Sequence, residues 1–270
     1  MWEAELPDFI KKLDPQFILG WRVILALVVL LLWEYNPEIL GINAFWLSRP
    51  SLVLEAAGML HSEGSLLPHV WVTLLETALG LGLGCFVGII LGIFFGSSHL
   101  LREIFEPFLL VANAFPKIAM APLFLIWFGI GLEMKVAVAF SLVVVVMILS
   151  TYSGVTLVRQ ELVNNARLMG ANQVQIFIKI VMPSIMPWLF AGLKISIAFA
   201  LVGAVLGEFI AAQNGIGYLI DDGMANFESA LVFLGLVLLL IIVWLINSVM
   251  EAVGRWFRIE ETTNTAAYNS

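Results

Sequence analysis

The run VWVTLLETALGLGLGCFVGIILGIFF, residues 70–95, decides the fold class of this chain. It carries a single charged side chain, Glu76, and it exceeds the roughly 20 apolar residues that an α-helix needs to cross a bilayer. Lipid offers no water to the backbone, so such a run must form a helix that satisfies its own N–H and C=O groups. The run therefore predicts a transmembrane helix.

Five further runs have the same character. The chain of 270 residues is 61% hydrophobic and only 12% charged, whereas a soluble domain is about 25% charged. The alternating strands of about ten residues that build a membrane β-barrel do not occur. The sequence therefore predicts an all-α, polytopic membrane protein with about six transmembrane helices. The other runs are Phe17–Trp33, Ile104–Phe128, Met134–Val155, Met186–Ala212 and Ser229–Met250.

The first run could be read as a cleaved signal peptide, because Lys11, Lys12 and Arg22 lie before or near its start. No small-x-small cleavage site follows; the chain continues WEYNPEILGINAFWL. We therefore expect the run to remain as a transmembrane helix. The predicted organisation is a cytoplasmic N-terminal segment at 1–16, a transmembrane domain at 17–255 and a polar C-terminal tail at 256–270.

The short loops carry an uneven distribution of Lys and Arg, which sets the orientation of membrane proteins. With the N-terminus inside, nine basic residues fall on the cytoplasmic side and two fall outside. The distribution predicts that both termini are cytoplasmic. The inside residues are Lys11, Lys12, Arg22, Arg102, Arg159, Arg167, Lys179, Arg255 and Arg258; the outside residues are Arg49 and Lys135.

The stretch NNARLMGANQVQIFIKIVMP, residues 164–183, is then a polar segment on the cytoplasmic side. Gly170 is the residue type that commonly follows a helix end, and Asn172 with Gln175 has capping-box spacing for a second helix. Pro183 is expected to end or kink that second helix. Apolar residues recur every three or four positions, as on one side of a helix: Val163, Ala166, Met169, Gly170, Val174, Phe177, Ile178 and Val181.

Two interpretations of this segment, residues 159–182, follow from the pattern. An amphipathic connector on the membrane surface usually has Lys and Arg along its polar face, whereas a protein-docking site does not need them. The polar face here is mostly Asn and Gln, and the pattern alone leaves both interpretations open. The residues expected to be exposed are Asn164, Asn165, Arg167, Gln173 and Gln175.

The segment resembles the EAA signature of ABC importer permeases, which places Gly after E-A-A and three further residues, and I-x-L-P after nine more. This chain has Asn164-Asn165-Ala166, then Gly170, then Ile180-Val181-Met182-Pro183, although Asn replaces the Glu and the first Ala. The resemblance implies coupling helices at 159–182 that fit a groove in a cytosolic ATP-binding subunit. The implied contact residues are Asn164, Asn165, Ala166, Arg167, Gly170, Ala171, Asn172 and Gln173.

The resemblance extends from about residue 50 to 257. Within the family, the chain is similar to the nitrate, sulfonate, taurine and bicarbonate branch. It rests on RPSLVLEAAGML, on FPKIAMAPLFLIWFGIG at 115–131, on GEFIAAQNGIGYLI, and on the helix in which Thr73 and Glu76 replace the branch's Ser and Arg. It implies a type I ABC importer permease fold in the inner membrane. The implied partners are a second permease copy, a dimer of ATP-binding subunits and a periplasmic substrate-binding protein. The implied cargo is a small anion.

An ionisable residue at membrane depth marks a functional site by default, and Lys117 lies between Pro116 and Pro122 in the third run. It can line the translocation path, or it can cap the carbonyls that Pro116 frees. Glu208 is expected either at the mouth of a cavity or against a periplasmic partner. The candidates for the path are Phe115, Pro116, Lys117, Pro122, Trp127, Phe128 and Glu208.

Two expectations concern the first quoted run. Its small residues allow membrane helices to approach closely, so the glycines predict tight packing against a neighbouring helix. Glu76, near the outer end, is expected to reach water. The glycines are Gly80, Gly82, Gly84, Gly88 and Gly92.

Enzymatic signatures are missing from the sequence. No P-loop occurs, because no Lys follows a Gly, and the three histidines, His61, His69 and His99, lack metal-ligand spacing. We expect no catalytic residue, metal, cofactor or nucleic-acid partner. A stand-alone secondary transporter is the alternative function, but that class tends to show paired halves with interrupted helices, and the Pro116–Pro122 pattern has no second copy.

Overall fold

The computed structural model describes residues 15–35, 41, 46–211 and 213–256, and within these the side chains of 15–19, 255 and 256 are left aside. The predicted N-terminal segment, apart from Pro15 and Gln16, and the tail beyond Trp256 lie outside these residues. No described residue is in a β-strand. The helices are α1 Pro15–Glu34, α2 Pro50–Ser62, α3 Leu66–Gly96, α4 His99–Ala114, α5 Ala121–Phe128, α6 Leu132–Thr156, α7 Gln160–Leu168, α8 Gln173–Ile176, α9 Met182–Ala211, α10 Ile216–Ala225 and α11 Ser229–Trp256.

Among the described residues, four helices are long and apolar enough to span a membrane: α3, α6, the continuous helix Gln173–Ala211 that contains α9, and α11. A fifth span is formed if α4 and the helical pair Lys117–Phe128 cross together. The first predicted run lies on α1, whose first five side chains are outside the description. The prediction of about six transmembrane helices agrees with this arrangement.

The third predicted run is not one straight helix. The α4 helix ends at Ala114, a 3₁₀ turn covers Lys117–Met120, and α5 follows, with a bend of 81° between the two parts. Phe115 has extended backbone angles, φ −66° and ψ 130°, because the residue before a proline is pushed out of the α region. Pro116 also lacks the N–H that would continue the helix. The break is thus a local consequence of this dipeptide.

A row of glycines on α3 packs directly against α6. Each glycine contacts one side chain, and a Cβ built on Gly84, Gly88 or Gly92 would lie 2.5 Å from atoms of α6. The prediction of tight packing is confirmed for this row and is wrong for Gly82, which has nothing within 4 Å of such a Cβ. The pairs are Gly80 with Ala139, Gly84 with Val143, Gly88 with Met147, Gly92 with Thr151 and Gly96 with Val155.

The order of these contacts fixes the direction of the helices. Residue numbers rise together along α3 and α6, so these helices are parallel, and the intervening α4–α5 segment must return across the bundle. On another side of α6, the residue numbers run in opposite directions, since Gly192 meets Ser150, Gly203 meets Ala139 and Gly207 meets Lys135 on that helix. The α9 helix is therefore antiparallel to α6. The helix α6 lies between α3 and α9 and forms the centre of the bundle.

Candidate functional sites in the docking segment, the cavity and the buried polar cluster

We call residues 159–182 the docking segment. Two helices, α7 and α8, meet at Gly170, which has a φ of +83°, a conformation that glycine adopts without strain. Asn172 Oδ1 accepts the Gln175 N–H at 2.8 Å, and Gln175 Oε1 accepts the Asn172 N–H at 2.9 Å. This reciprocal pair is a capping box. The predicted bend at Gly170 and the predicted cap are both confirmed.

The segment is fixed to the end of the bundle by a few apolar side chains. Val163 and Ile176 are buried in a cluster with Val155, Val158 and Ile185. The next two residues after Arg167 point outward instead: Leu168 is 87% exposed and Met169 is 88% exposed. Exposed apolar surface marks contacts with another protein or with the membrane, and this pair beside the turn is a candidate for such a contact.

The predicted apolar stripe is correct only in part. Val163 is buried, but Met169, Val174, Phe177 and Ile178 are exposed, and Ile176, which was not in the stripe, is buried. The predicted stripe assumes a single helical register through the whole segment. Because Gly170 turns the chain, the helical register starts again at Asn172, and a different set of side chains faces the bundle.

Of the two predicted effects of Pro183, an end or a kink of the second helix, the first is wrong. A turn of π-helix at Phe177–Val181 joins α8 to α9, and the helix continues from Gln173 to Ala211. Wider π turns commonly occur as single turns inside α-helices, and this one directly precedes the missing N–H of Pro183. Ser184 also donates its hydroxyl to the Ile180 carbonyl at 2.6 Å. The docking segment is thus continuous with a transmembrane helix.

The structure brings the predicted contact residues of the docking segment together. A recess of about 460 Å³ lies between α7 and the α8–α9 junction. Beside it, Asn164, Asn165, Arg167, Asn172 and Gln173 are exposed, and Ala166 and Ala171 are half-buried. The recess is lined by Ala166, Met169, Gly170, Ala171, Gln175, Ile176, Lys179 and Ile180.

A second cavity of about 460 Å³ lies at the break between α4 and α5. Lys117 Nζ donates to the Asn113 carbonyl at 3.3 Å, as the interpretation of Lys117 as a cap for freed carbonyls expects. The ammonium makes no ion pair with a described carboxylate. The lining residues are Asn113, Phe115, Pro116, Lys117, Ile118, Leu142, Val146, Leu149, Ser150, Ile195 and Phe199.

Four candidates for the path do not line this cavity. Pro122, Trp127 and Phe128 lie on the exposed side of α5. Glu208 is only 1% exposed and belongs to a separate buried cluster at the other end of the bundle. The sequence groups residues 115–128 because they lie in one motif, but positions on the two sides of the bend face different directions. Glu208 lies on a different helix, α9.

The buried polar cluster joins α3, α6, α9 and the start of α10. The Thr73 hydroxyl donates to Glu208 Oε1 at 2.6 Å, and the other oxygen, Oε2, accepts the Gly217 N–H at 2.6 Å. Lys135 Nζ donates to Glu76 Oε1 at 2.6 Å. These side chains are at most 6% exposed. Each of these four residues thus has a partner, although one buried oxygen, Glu76 Oε2, makes no hydrogen bond to the described residues.

The prediction that Glu76 reaches water is wrong. Glu76 is 1% exposed and forms a buried ion pair with Lys135, which the sequence assigned to an outer loop. The charge reversal at position 76 is therefore balanced by a basic residue on α6. Sequence reasoning missed this cluster, although His69, Thr73 and Glu76 are spaced to share one face of α3, and that spacing is the signal that could have found it.

Comparison with known proteins places residues 84–258 in the family described as binding-protein-dependent transport system inner membrane component. That range contains the α4–α5 break, the docking segment and Glu208. The chain is 34% identical to the riboflavin transport system permease protein RibX of Chloroflexus aurantiacus over 226 residues, covering 83% of each chain. It is 27% identical to the taurine transport system permease protein TauC of Escherichia coli, over 84% of this chain and 85% of that protein.

A solved structure also matches the fold. The chain resembles an inward-facing conformation of the MetNI methionine ABC transporter with a TM-score of 0.61 and 21% sequence identity. The match covers 72% of this chain and 96% of the other. At this identity the likeness bears on the fold alone, and it agrees with the type I permease fold expected from the sequence.

Proposed function

Because this chain belongs to the family of binding-protein-dependent transport system inner membrane components, we propose that it forms the translocation path of an ATP-driven importer for a small solute. The chain is an ABC transporter permease. In the proposed assembly it pairs with a second copy of itself, and closed symmetric assemblies are the common case. A dimer of cytosolic ATP-binding subunits drives the cycle, and a periplasmic substrate-binding protein delivers the solute.

The exposed apolar pair at the turn of the docking segment carries this proposal. Leu168 and Met169 are exposed beside the turn at Gly170, which the Asn172–Gln175 capping box follows. A membrane-surface connector usually carries Lys and Arg along its polar face, whereas the exposed polar residues near this pair are Arg167 together with the uncharged Asn164 and Asn165. The combination fits a groove in another protein. We propose that the ATP-binding subunit supplies that groove, on the cytoplasmic side of the membrane.

The experiment that tests the assembly is native mass spectrometry of the tagged chain, extracted gently from its own membrane. The proposal expects two permease chains with two ATP-binding chains. A stable complex of permease chains alone, joined with solute movement that needs no ATP, would instead favour a secondary transporter.

A Gly170→Trp substitution is expected to uncouple ATP hydrolysis from uptake. Gly170 needs a φ of +83°, and nothing lies within 4 Å of a Cβ built there. Trp strains the turn and fills the space in front of the recess, while the bundle itself stays unaffected. The measurement is ATP-dependent uptake into proteoliposomes. Gly170→Asn is the matched control because Asn tolerates the left-handed conformation; uptake by the Trp variant equal to that of the Asn variant would contradict docking at this turn.

The cavity at the break supports an anionic cargo. Lys117 donates one long hydrogen bond to the Asn113 carbonyl, at 3.3 Å, and has no other partner among the described residues. Its position on α4–α5 faces the middle of α6, at Leu142 and Val146, and the middle of α9, at Ile195. An ammonium with spare donors at membrane depth favours a negative group nearby. We propose that the solute that passes this cavity is small and carries an anionic group, as nitrate, a sulfonate, taurine or bicarbonate does.

A Lys117→Met substitution is expected to lower uptake of an anionic cargo, because it removes the charge but keeps most of the length of the unbranched side chain. We expect a loss of about tenfold, as for a charge-assisted contact of about 1.4 kcal/mol. The control is Lys194→Met, since Lys194 Nζ lies over the Phe190 ring at 5.2 Å and does not line the cavity. Unchanged uptake in the Lys117 variant would favour a purely carbonyl-capping role.

A further inference from the structure

We infer that Thr73 and Glu208 are positioning residues of the transport cycle. They attach α10 to the long helix Gln173–Ala211, which starts in the docking segment. The α10 helix lies at the opposite end of the bundle from that segment. The inference rests on the proposed function, because in that function the ATP-binding subunits move the docking segment. It adds a mechanical link between that segment and the opposite end of the molecule. We call the contact of Thr73, Glu208 and residues 215–217 the α10 clamp.

Side chains in and beside the clamp accept hydrogen bonds from the backbone N–H groups at the N-terminus of α10. The first N–H groups of any helix lack partners inside the helix. Here three consecutive groups are bonded by side chains from other helices: Gly215 N–H to His69 Nδ1 at 3.0 Å, Ile216 N–H to Thr73 Oγ1 at 2.8 Å, and Gly217 N–H to Glu208 Oε2 at 2.6 Å. The Glu208 carboxylate also lies at the positive end of the helix dipole. The start of α10 is therefore held by α3 and α9 together.

Steric fit makes the clamp tight. Gly215 has a φ of +125°, and a Cβ on it would overlap the Glu208 carboxyl. A Cβ on Gly217 would lie 2.8 Å from Glu208 Cβ. Both glycines are therefore required for this approach, and the carboxyl has little room to move relative to α10. The His69 ring also stacks on Tyr218 of α10, with the ring centroids 5.8 Å apart.

The helix that carries Glu208 begins in the docking segment. It runs without a break from Gln173 to Ala211, 39 residues, which corresponds to about 58 Å at 1.5 Å per residue. Glu208 lies three residues from its far end. This helix contains a π turn at Phe177–Val181 and an internal proline, Pro187, but its backbone stays helical throughout. It therefore connects α8 to Glu208, and the clamp connects Glu208 to α10. The His69 contacts and the apolar packing of Ile216 and Ile220 also hold α10, so the test measures how much of its movement depends on the clamp.

The test uses the assembled importer with its ATP-binding subunits, in a Cys85→Ala background for site-directed spin labels. One label is placed at Glu161 on α7 and a second, separately, at Asp221 on α10; both residues are exposed. Distances between the two copies are measured with and without a non-hydrolysable ATP analogue. In the unmodified clamp we expect both distances to change. In Thr73→Val and in Glu208→Gln we expect the change at 161 to persist and the change at 221 to fall to less than half.

The same variants are expected to lower the amount of solute taken up per ATP hydrolysed by about tenfold, within the range of coupling between distant sites. Thr77→Val is the matched control. Thr77 is also buried on α3, but its hydroxyl donates only to the Thr73 carbonyl of its own helix, at 2.7 Å. A purely structural role would lower thermal stability in the Thr77 and Thr73 variants alike and would leave the ratio of uptake to hydrolysis unchanged.

The outcomes distinguish the clamp from the proposed function on which it rests. Distance changes at 221 that stay complete in the folded Thr73→Val or Glu208→Gln protein would overturn the clamp while leaving the docking role intact. Each variant is judged independently, so misfolding of one leaves the other decisive. A failure of the 161 distance to respond to nucleotide, or of the ATP-binding subunits to assemble, would overturn the proposed function and with it this inference.

Discussion

Replacing Lys135 by Met is expected to lower the free energy of unfolding by about 3–5 kcal/mol, the typical cost of breaking a buried ion pair by removing one partner. Lys135 Nζ lies 2.6 Å from Glu76 Oε1, and both side chains are almost fully buried. The second carboxylate oxygen, Glu76 Oε2, has no hydrogen-bond partner among the described residues. The variant would leave a carboxylate in the bundle without its cation. Unfolding in mixed detergent micelles measures the change.

The double variant Glu76→Met with Lys135→Met separates charge from packing. Replacing a complete buried pair by apolar side chains of similar size is often neutral or stabilising, so the double variant is expected to regain most of the stability lost by Lys135→Met. A double variant as unstable as the single one would show that the pair contributes mainly through its shape. A single variant as stable as the unmodified chain would show that water reaches Glu76, as the sequence alone had suggested.

The features that the sequence predicted correctly are local ones. A run of apolar residues is sufficient for a membrane helix, and Gly170 with Asn172 and Gln175 is sufficient for a capped turn. Each depends on interactions within a few residues, so periodicity and residue type carry the information. The docking segment could therefore be located and its bend placed without a structure.

The features that the sequence missed depend on contacts between distant residues. Glu76 meets Lys135 across 59 positions and Thr73 meets Glu208 across 135, and no local pattern reports such a pairing. The sequence predicts an exposed Glu76 because a lone carboxylate near a helix end usually reaches water. It predicts Lys135 in an outer loop because a charged side chain near a helix end usually lies outside the membrane. The family resemblance supplied the proposed role of the docking segment, but its motif at position 76 pointed to a charge of the opposite sign.

A Gly88→Val substitution on α3 is expected to lower the free energy of unfolding by about 3 kcal/mol, the upper part of the range for inserting atoms into a packed interface. A Cβ at this position would lie 2.5 Å from Met147 Cβ, 2.9 Å from the Val144 carbonyl oxygen and 3.2 Å from the Ile148 amide nitrogen. Two of these atoms are backbone, so a side-chain rotation cannot relieve the overlap. The α3 and α6 helices must separate, and thermal unfolding in nanodiscs measures the loss.

Gly82→Val is the control on the same helix, six residues away. It introduces the same side chain and the same change in backbone preference, but its Cβ meets nothing within 4 Å. If both variants lose stability equally, the cost comes from the backbone of α3 and the close approach to α6 is not what the glycines provide. If only Gly88→Val unfolds early, the row from Gly80 to Gly96 sets the spacing of the two parallel helices. The α4–α5 segment, which must return between their opposite ends, then depends on that spacing.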